Sequence, residues 1–150
     1  MNIFVTGGAG YIGSATAEAL IKAGHSVSVY DSLVTGHRAA VPAEAEFIHA
    51  SLDDSHALAE ALTSKKFDAV MHFAAFIEAG ESMKDPAKFF RNNFSNSIQL
   101  IETAVRAGVK KFVLSSTAAV YQSSDEPLTE DSPLGPTNVY GHTKLMTEQA

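Results

Sequence analysis

Tyr140 and Lys144 stand four residues apart in Tyr140-Gly141-His142-Thr143-Lys144, inside a stretch (138–150) that reads as the opening turns of an amphipathic helix. That spacing puts both side chains on one helical face. A tyrosine hydroxyl is a poor base unless a cation steadies its phenolate, and a lysine ammonium one turn away supplies that cation. On a solvated helix face the same pair would do nothing, so it counts only in company. A second group is Ser115-Ser116-Thr117, which closes an apolar run. Hydroxyls at the carboxyl end of a strand in an open α/β sheet face the crevice where ligands sit, and could orient a substrate alcohol. The plainer reading is that they cap the strand.

A third group is glycine-rich. Val5-Thr6-Gly7-Gly8-Ala9-Gly10-Tyr11-Ile12-Gly13 ends one apolar run and opens a helical one. Gly7 and Gly8 permit a tight turn, Gly10 lets backbone approach a diphosphate, and Gly13 lets helix pack closely on strand. The diphosphate would rest on free N–H groups at the positive end of the helix. A strand before, a helix after, and a second strand ending in an acid raise these glycines above an ordinary tight turn. The acid is Asp31, placed to take the adenosine ribose hydroxyls. It would repel a 2′-phosphate, which favours NAD; Arg38, nearby in sequence, keeps an NADP alternative open.

The elements that must carry these groups alternate. Strands are expected at 2–6, 26–30, 46–50, 69–73 and 111–115, each short and rich in Val, Ile, Phe or Met, as in a parallel sheet buried on both faces. Helices are expected at 12–23, 55–63 and 86–107. In the last, Phe90, Phe94, Ile98, Ile101 and Val105 recur at spacings that make one apolar face. Gly24 and Gly108 follow helical runs, where a C-terminal cap belongs. The alternation predicts an α/β fold, a doubly wound parallel sheet of Rossmann type. The last helical pattern runs to Ala150 without a cap. Residues 1–150 are therefore expected to be a truncated NAD-binding domain, with the C-terminal part of the sheet and a substrate-binding domain outside this chain.

The 150 residues are 45% hydrophobic and 19% charged, enough for one packed core. A formal charge of −6 with no basic stripe argues against a nucleic-acid partner. There is no cysteine, so disulfides and thiolate metal sites are excluded. The histidines (His25, His37, His49, His56, His72 and His142) show no paired ligand spacing, and no metal is expected. Asp53-Asp54 reads as the N-terminal cap of the 55–63 helix. Met1 leads straight into an apolar run with no basic segment, and no run is long enough to cross a bilayer. The expectation is a cytoplasmic protein without a membrane partner.

On residues 6–13, Asp31-Ser32-Leu33, His72-Phe73-Ala74-Ala75, Gly80-Glu81-Ser82, Asn92-Asn93, 115–121 and 140–144, the chain resembles the extended short-chain dehydrogenase/reductase family. The stretch 72–82 and Tyr140–Leu145 resemble its UDP-glucose 4-epimerase branch more closely. The resemblance implies an isomerase of nucleotide-sugar (galactose) metabolism that interconverts UDP-glucose and UDP-galactose through a transient 4-keto sugar. Tyr140 would take the 4-hydroxyl proton, Thr117 would share the substrate hydrogen bond, and Lys144 would hold the nicotinamide ribose and tune Tyr140. NAD would be held by Gly7, Gly10, Tyr11, Ile12, Gly13, Asp31, Ser32, Ser51, Leu52, Phe73, Ala74, Ala75, Asn92 and Ser115, together with Tyr140 and Lys144. A homodimer through the 86–107 and Tyr140 helices is implied as well.

Three positions depart from the family pattern. Ala50-Ser51 stands where relatives commonly carry Gly-Asp against adenine. Ile77 stands where some epimerases place a lysine on the cofactor phosphates. Thr117 replaces a frequent serine and keeps the hydroxyl. Sugar-nucleotide 4,6-dehydratases and reductases of the same fold are the rival enzymes. The dehydratases usually carry an acidic pair where this chain has Ala118-Ala119. A non-catalytic NAD-binding module is the rival of another class, and the fragment by itself is expected to turn over nothing.

Overall fold

A computed structural model describes residues 1–150. The elements run β1 (Asn2–Thr6), α1 (Tyr11–Lys22), β2 (Ser26–Asp31), β3 (Glu46–His49), α2 (Ser55–Thr63), β4 (Ala69–His72), α3 (Ala79–Lys84) and α4 (Pro86–Phe89). A π-helical segment (Phe90–Ser95), α5 (Asn96–Arg106), β5 (Lys111–Leu114) and α6 (Val139–Gln149) follow, with short 3-10 turns at Arg38–Ala40 and Ala118–Val120. Two compact units result: Met1–Ala74 with Gln99–Ser115, and Ala75–Ile98 with Ser116–Ala150.

The first unit holds the sheet. All five strands are parallel, in the order β3-β2-β1-β4-β5, so the order reverses between β1 and β4. Side chains alternate across the sheet. Phe4, Tyr30 and Val70 point into one core with Leu58, Ala61 and Leu62 of α2 and Leu100 and Ala104 of α5. Ile3, Val5, Val27 and Val29 point into the other, against Ala17 of α1 and the loop residues Val41 and Ala45. Each fully buried leucine in the first core stabilises the fold by about 2 kcal/mol. Asp54 caps α2, its carboxylate accepting the Ala57 N–H at 2.9 Å, as the Asp53-Asp54 pair suggested. Gly24 and Gly108 follow α1 and α5 with φ of 82° and 80°. The doubly wound sheet read from the sequence is present; β3, β4 and β5 each end one residue short of expectation and β2 runs one residue longer.

The expected 86–107 helix is not continuous. Its middle opens into the π-helical segment, where the Asn93 carbonyl accepts the Ser97 hydroxyl and, at 3.4 Å, the Thr147 hydroxyl. Side-chain hydroxyls compete there for a carbonyl that α-helical bonding needs, which widens the turn. The buried face also differs from the predicted stripe: it runs through Phe89, Asn93, Ser97, Leu100 and Ala104. Phe90, Phe94, Ile98 and Ile101 are only half-buried, and Val105 is 67% exposed. Helix α3 was not anticipated. No helix is long and apolar enough to cross a membrane.

Candidate active site

In the first unit the glycine loop sits at the reversal of strand order. Gly7 adopts φ 71°, and a Cβ there would lie 2.5 Å from the Ala74 nitrogen and 2.7 Å from the Phe73 carbonyl carbon. Only glycine lets the β1 end pass so close to the backbone leaving β4. The Phe73 N–H continues the ladder onto the Thr6 carbonyl at 2.9 Å. A Cβ on Gly13 would meet the Gly7 oxygen at 2.2 Å, which is the close helix packing expected of it. Gly10 differs: around its missing side chain the only neighbour is the Gly7 oxygen, at 3.3 Å. The first intrahelical bond is the Ser14 N–H on the Gly10 carbonyl (2.9 Å), so the N–H groups of Tyr11, Ile12 and Gly13 lie ahead of it. Open backbone at Gly10 beside uncommitted donors at a helix start fits a diphosphate. Tyr11 is 92% exposed there, and Ile12 is exposed too.

Asp31 has a structural duty beyond the expected one. Its carboxylate accepts the Ala9 N–H at 2.9 Å and the Leu33 N–H at 2.8 Å, tying the glycine loop to the turn after β2 and holding Leu33 at φ 59°. Each oxygen keeps a further lone pair. The Ser32 carbonyl accepts His49 Nε2 at 3.2 Å. Arg38 lies with its guanidinium 4.6 Å from the centre of the Phe47 ring. Ser51 and Leu52 form the turn after β3. The Ser115 N–H extends the β4–β5 ladder onto the His72 carbonyl at 3.0 Å, and the His72 ring meets the Thr6 hydroxyl at 2.6 Å.

The second unit holds Thr117, Tyr140 and Lys144. Asn138 starts α6, its side chain accepting the Gly141 N–H at 2.8 Å. A Cβ on Gly141 would lie 2.4 Å from the Ala119 oxygen, so glycine brings the first turn of α6 against the 3-10 turn that Thr117 caps. Thr117 Oγ1 accepts the Ala119 N–H at 3.2 Å, leaving its own proton to donate elsewhere. The Tyr140 N–H is taken by Ser82 Oγ at 3.1 Å, and that hydroxyl donates to the Ala79 carbonyl at 2.6 Å. Lys144 is only 3% exposed and makes no ion pair. Burial pushes its ammonium down to about 8, against an upward pull from Glu148. An unpaired buried ammonium costs stability, and such groups gather where chemistry is done.

Two residues with no expected role are central here. Asn93 is 2% exposed; its amide oxygen accepts the Phe76 N–H and its amide nitrogen donates to the Phe76 carbonyl, both at 2.8 Å. It also donates to Thr143, next to Lys144, at 3.3 Å. Asn92, the expected cofactor contact, donates to the Asn93 amide oxygen at 2.8 Å. Ser82 is the other. The signals in the sequence were the places of these residues in Asn92-Asn93 and Gly80-Glu81-Ser82, two of the stretches that carry the family resemblance. Ser116 Oγ is buried without a partner.

The sequence profile of the NAD dependent epimerase/dehydratase family matches residues 3–150. A UDP-glucose 4-epimerase from Lacticaseibacillus casei is 47% identical over 150 residues, 99% of this chain and 45% of that protein. A solved UDP-glucose 4-epimerase from Brucella ovis in complex with NAD aligns with a TM-score of 0.94 at 39% identity, covering 99% of this chain and 46% of that one. Another, from Stenotrophomonas maltophila with bound NAD and formylated UDP-arabinopyranose, gives 0.94 at 38% identity over 99% and 47%. The chain spans about half the length of these relatives.

Proposed function

As the chain belongs to the NAD dependent epimerase/dehydratase family, we propose that it is the NAD-binding part of an enzyme that inverts a UDP-sugar at C4, interconverting UDP-glucose and UDP-galactose. The observation that carries this reading is Lys144, buried and unpaired one helical turn from Tyr140. Its charge would steady the Tyr140 phenolate, so that Tyr140 takes the proton of the sugar 4-hydroxyl and returns it later. Thr117, with its proton free, would donate to the same sugar oxygen. NAD, when bound, would accept the C4 hydride and give it back to the other face of the 4-keto sugar. The cycle is redox-neutral, so the cofactor would stay bound.

Gly7, Gly10 and the N–H groups of Tyr11, Ile12 and Gly13 would hold the diphosphate. Asp31 and Ser32 would hold the adenosine ribose, with Ser51 and Leu52 at the adenine. Phe73, Ala74, Ala75, Asn92 and Ser115 would line the rest of the cofactor, and Lys144 would also reach the nicotinamide ribose. Asp31 disfavours a 2′-phosphate, and Arg38 is spent on Phe47. Elimination of water at C5–C6, the dehydratase reaction, would need an acid and base after Thr117, where Ala118 and Ala119 offer none.

Contacts that choose the sugar would lie outside residues 1–150, in the rest of the length that relatives carry. The protein would work in the cytoplasm as a homodimer, the half-exposed stripe of Phe90, Phe94, Ile98 and Ile101 finding its cover there. Tyr140→Phe tests the reading. Turnover should fall by about a thousandfold while NAD affinity is kept; loss of NAD binding instead would make the tyrosine structural.

A further inference from the structure

The turn after β3 is held from two sides. Ser51–Asp54 is a β-turn closed by the Asp54 N–H on the Ser51 carbonyl at 3.1 Å. The same carbonyl accepts the Tyr30 hydroxyl at 2.8 Å, and the Leu52 carbonyl accepts Gln99 Nε2 at 2.7 Å. Tyr30 is buried on β2 with its ring 5.5 Å from Phe4, and Gln99 comes from α5. Burial, with Asp54 and Asp53 adding to it, raises the Tyr30 hydroxyl to about 12, so it remains a donor. A trans peptide is planar, with its C=O and N–H opposed. Fixing the Ser51 oxygen therefore aims the Leu52 N–H away from Tyr30. Neither that N–H nor the Ser51 hydroxyl is used in a hydrogen bond within the chain.

We infer that Tyr30 and Gln99 are positioning residues for purine recognition, holding the Ser51–Leu52 peptide so that its N–H and the Ser51 hydroxyl read the adenine edge. The inference rests on the NAD reading above. Adenine presents an acceptor at N1 and a donor amine at C6, whereas hypoxanthine presents a donor at N1 and an acceptor oxygen. A serine hydroxyl donates or accepts and so serves either 6-substituent, unlike a carboxylate, which accepts only. Discrimination then falls to the Leu52 N–H, which suits adenine N1 and opposes the hypoxanthine N1–H. It holds only while that N–H is aimed.

The test is calorimetric binding of NAD and of nicotinamide hypoxanthine dinucleotide to the wild-type protein, Tyr30→Phe and Gln99→Met. The wild type should prefer NAD by about tenfold, and each variant should shrink that preference by about fivefold, chiefly through weaker NAD binding. A preference unchanged in both variants, or parallel weakening of both dinucleotides, would overturn the inference and leave a purely structural clamp. Equal binding of both dinucleotides by the wild type would overturn it alone, whereas binding of neither would remove the NAD reading as well. Should Tyr30→Phe fail to fold, Gln99→Met decides.

Discussion

Lys144 connects stability to chemistry at the scale of one side chain. Folding lowers its proton affinity to about 8 from the ordinary 10.5, burial being the main cause. Between those values the unfolded chain holds more protons than the folded one, so the contribution of this group to stability rises with pH across that window. Below about pH 8 the buried charge costs the fold about 3 kcal/mol. Lys144→Met should therefore unfold at higher urea than the wild type at pH 7, with the gap closing as the pH approaches 10. A gap independent of pH would mean that packing, not charge, sets the difference. The alkaline limb of kcat/KM in the whole enzyme should also begin near pH 8, where the ammonium is lost, and Lys144→Arg, which keeps the charge, should move that limb upward. The four-residue spacing of Tyr140 and Lys144 was legible in the sequence. The burial of Lys144 was not, because burial is set by groups distant in the chain that no local pattern reveals.

At the scale of elements, Gly141 and Asn93 help to place α6, the first by its close approach to the Ala119 oxygen and the second by donating to Thr143. Gly141→Ala would put a methyl group 2.4 Å from the Ala119 oxygen. It should destabilise the fold by about 1–3 kcal/mol and lower turnover a hundredfold or more while NAD still binds, as measured by thermal melts and calorimetry. Asn93→Leu would strip both Phe76 backbone groups of their partners, at a cost of about 2–4 kcal/mol in urea unfolding; a neutral result would mean that water replaces the amide. The strands were legible to within a residue, since short apolar runs between glycine-rich turns leave few alternatives. The 86–107 helix misled because periodicity ranks faces by hydrophobicity. Here Asn93 and Ser97 occupy the buried face, since their hydrogen bonds are satisfied there, and Phe90 and Phe94 were left outside.

For the molecule as a whole, the fold class, the glycine loop and the family are legible in the sequence, because each rests on local runs and spacings. Residues 1–150 by themselves should bind NAD and convert no sugar, which calorimetry and an overnight incubation with UDP-galactose would check. The most direct test of C4 epimerisation uses the whole protein and UDP-galactose deuterated at C4, with no added cofactor, followed by mass spectrometry and NMR of the product. The predicted product is UDP-glucose that keeps the deuterium at C4, formed without net NADH. Loss of that deuterium to solvent, accumulation of a 4-keto-6-deoxy sugar, or stoichiometric NADH would contradict the proposal.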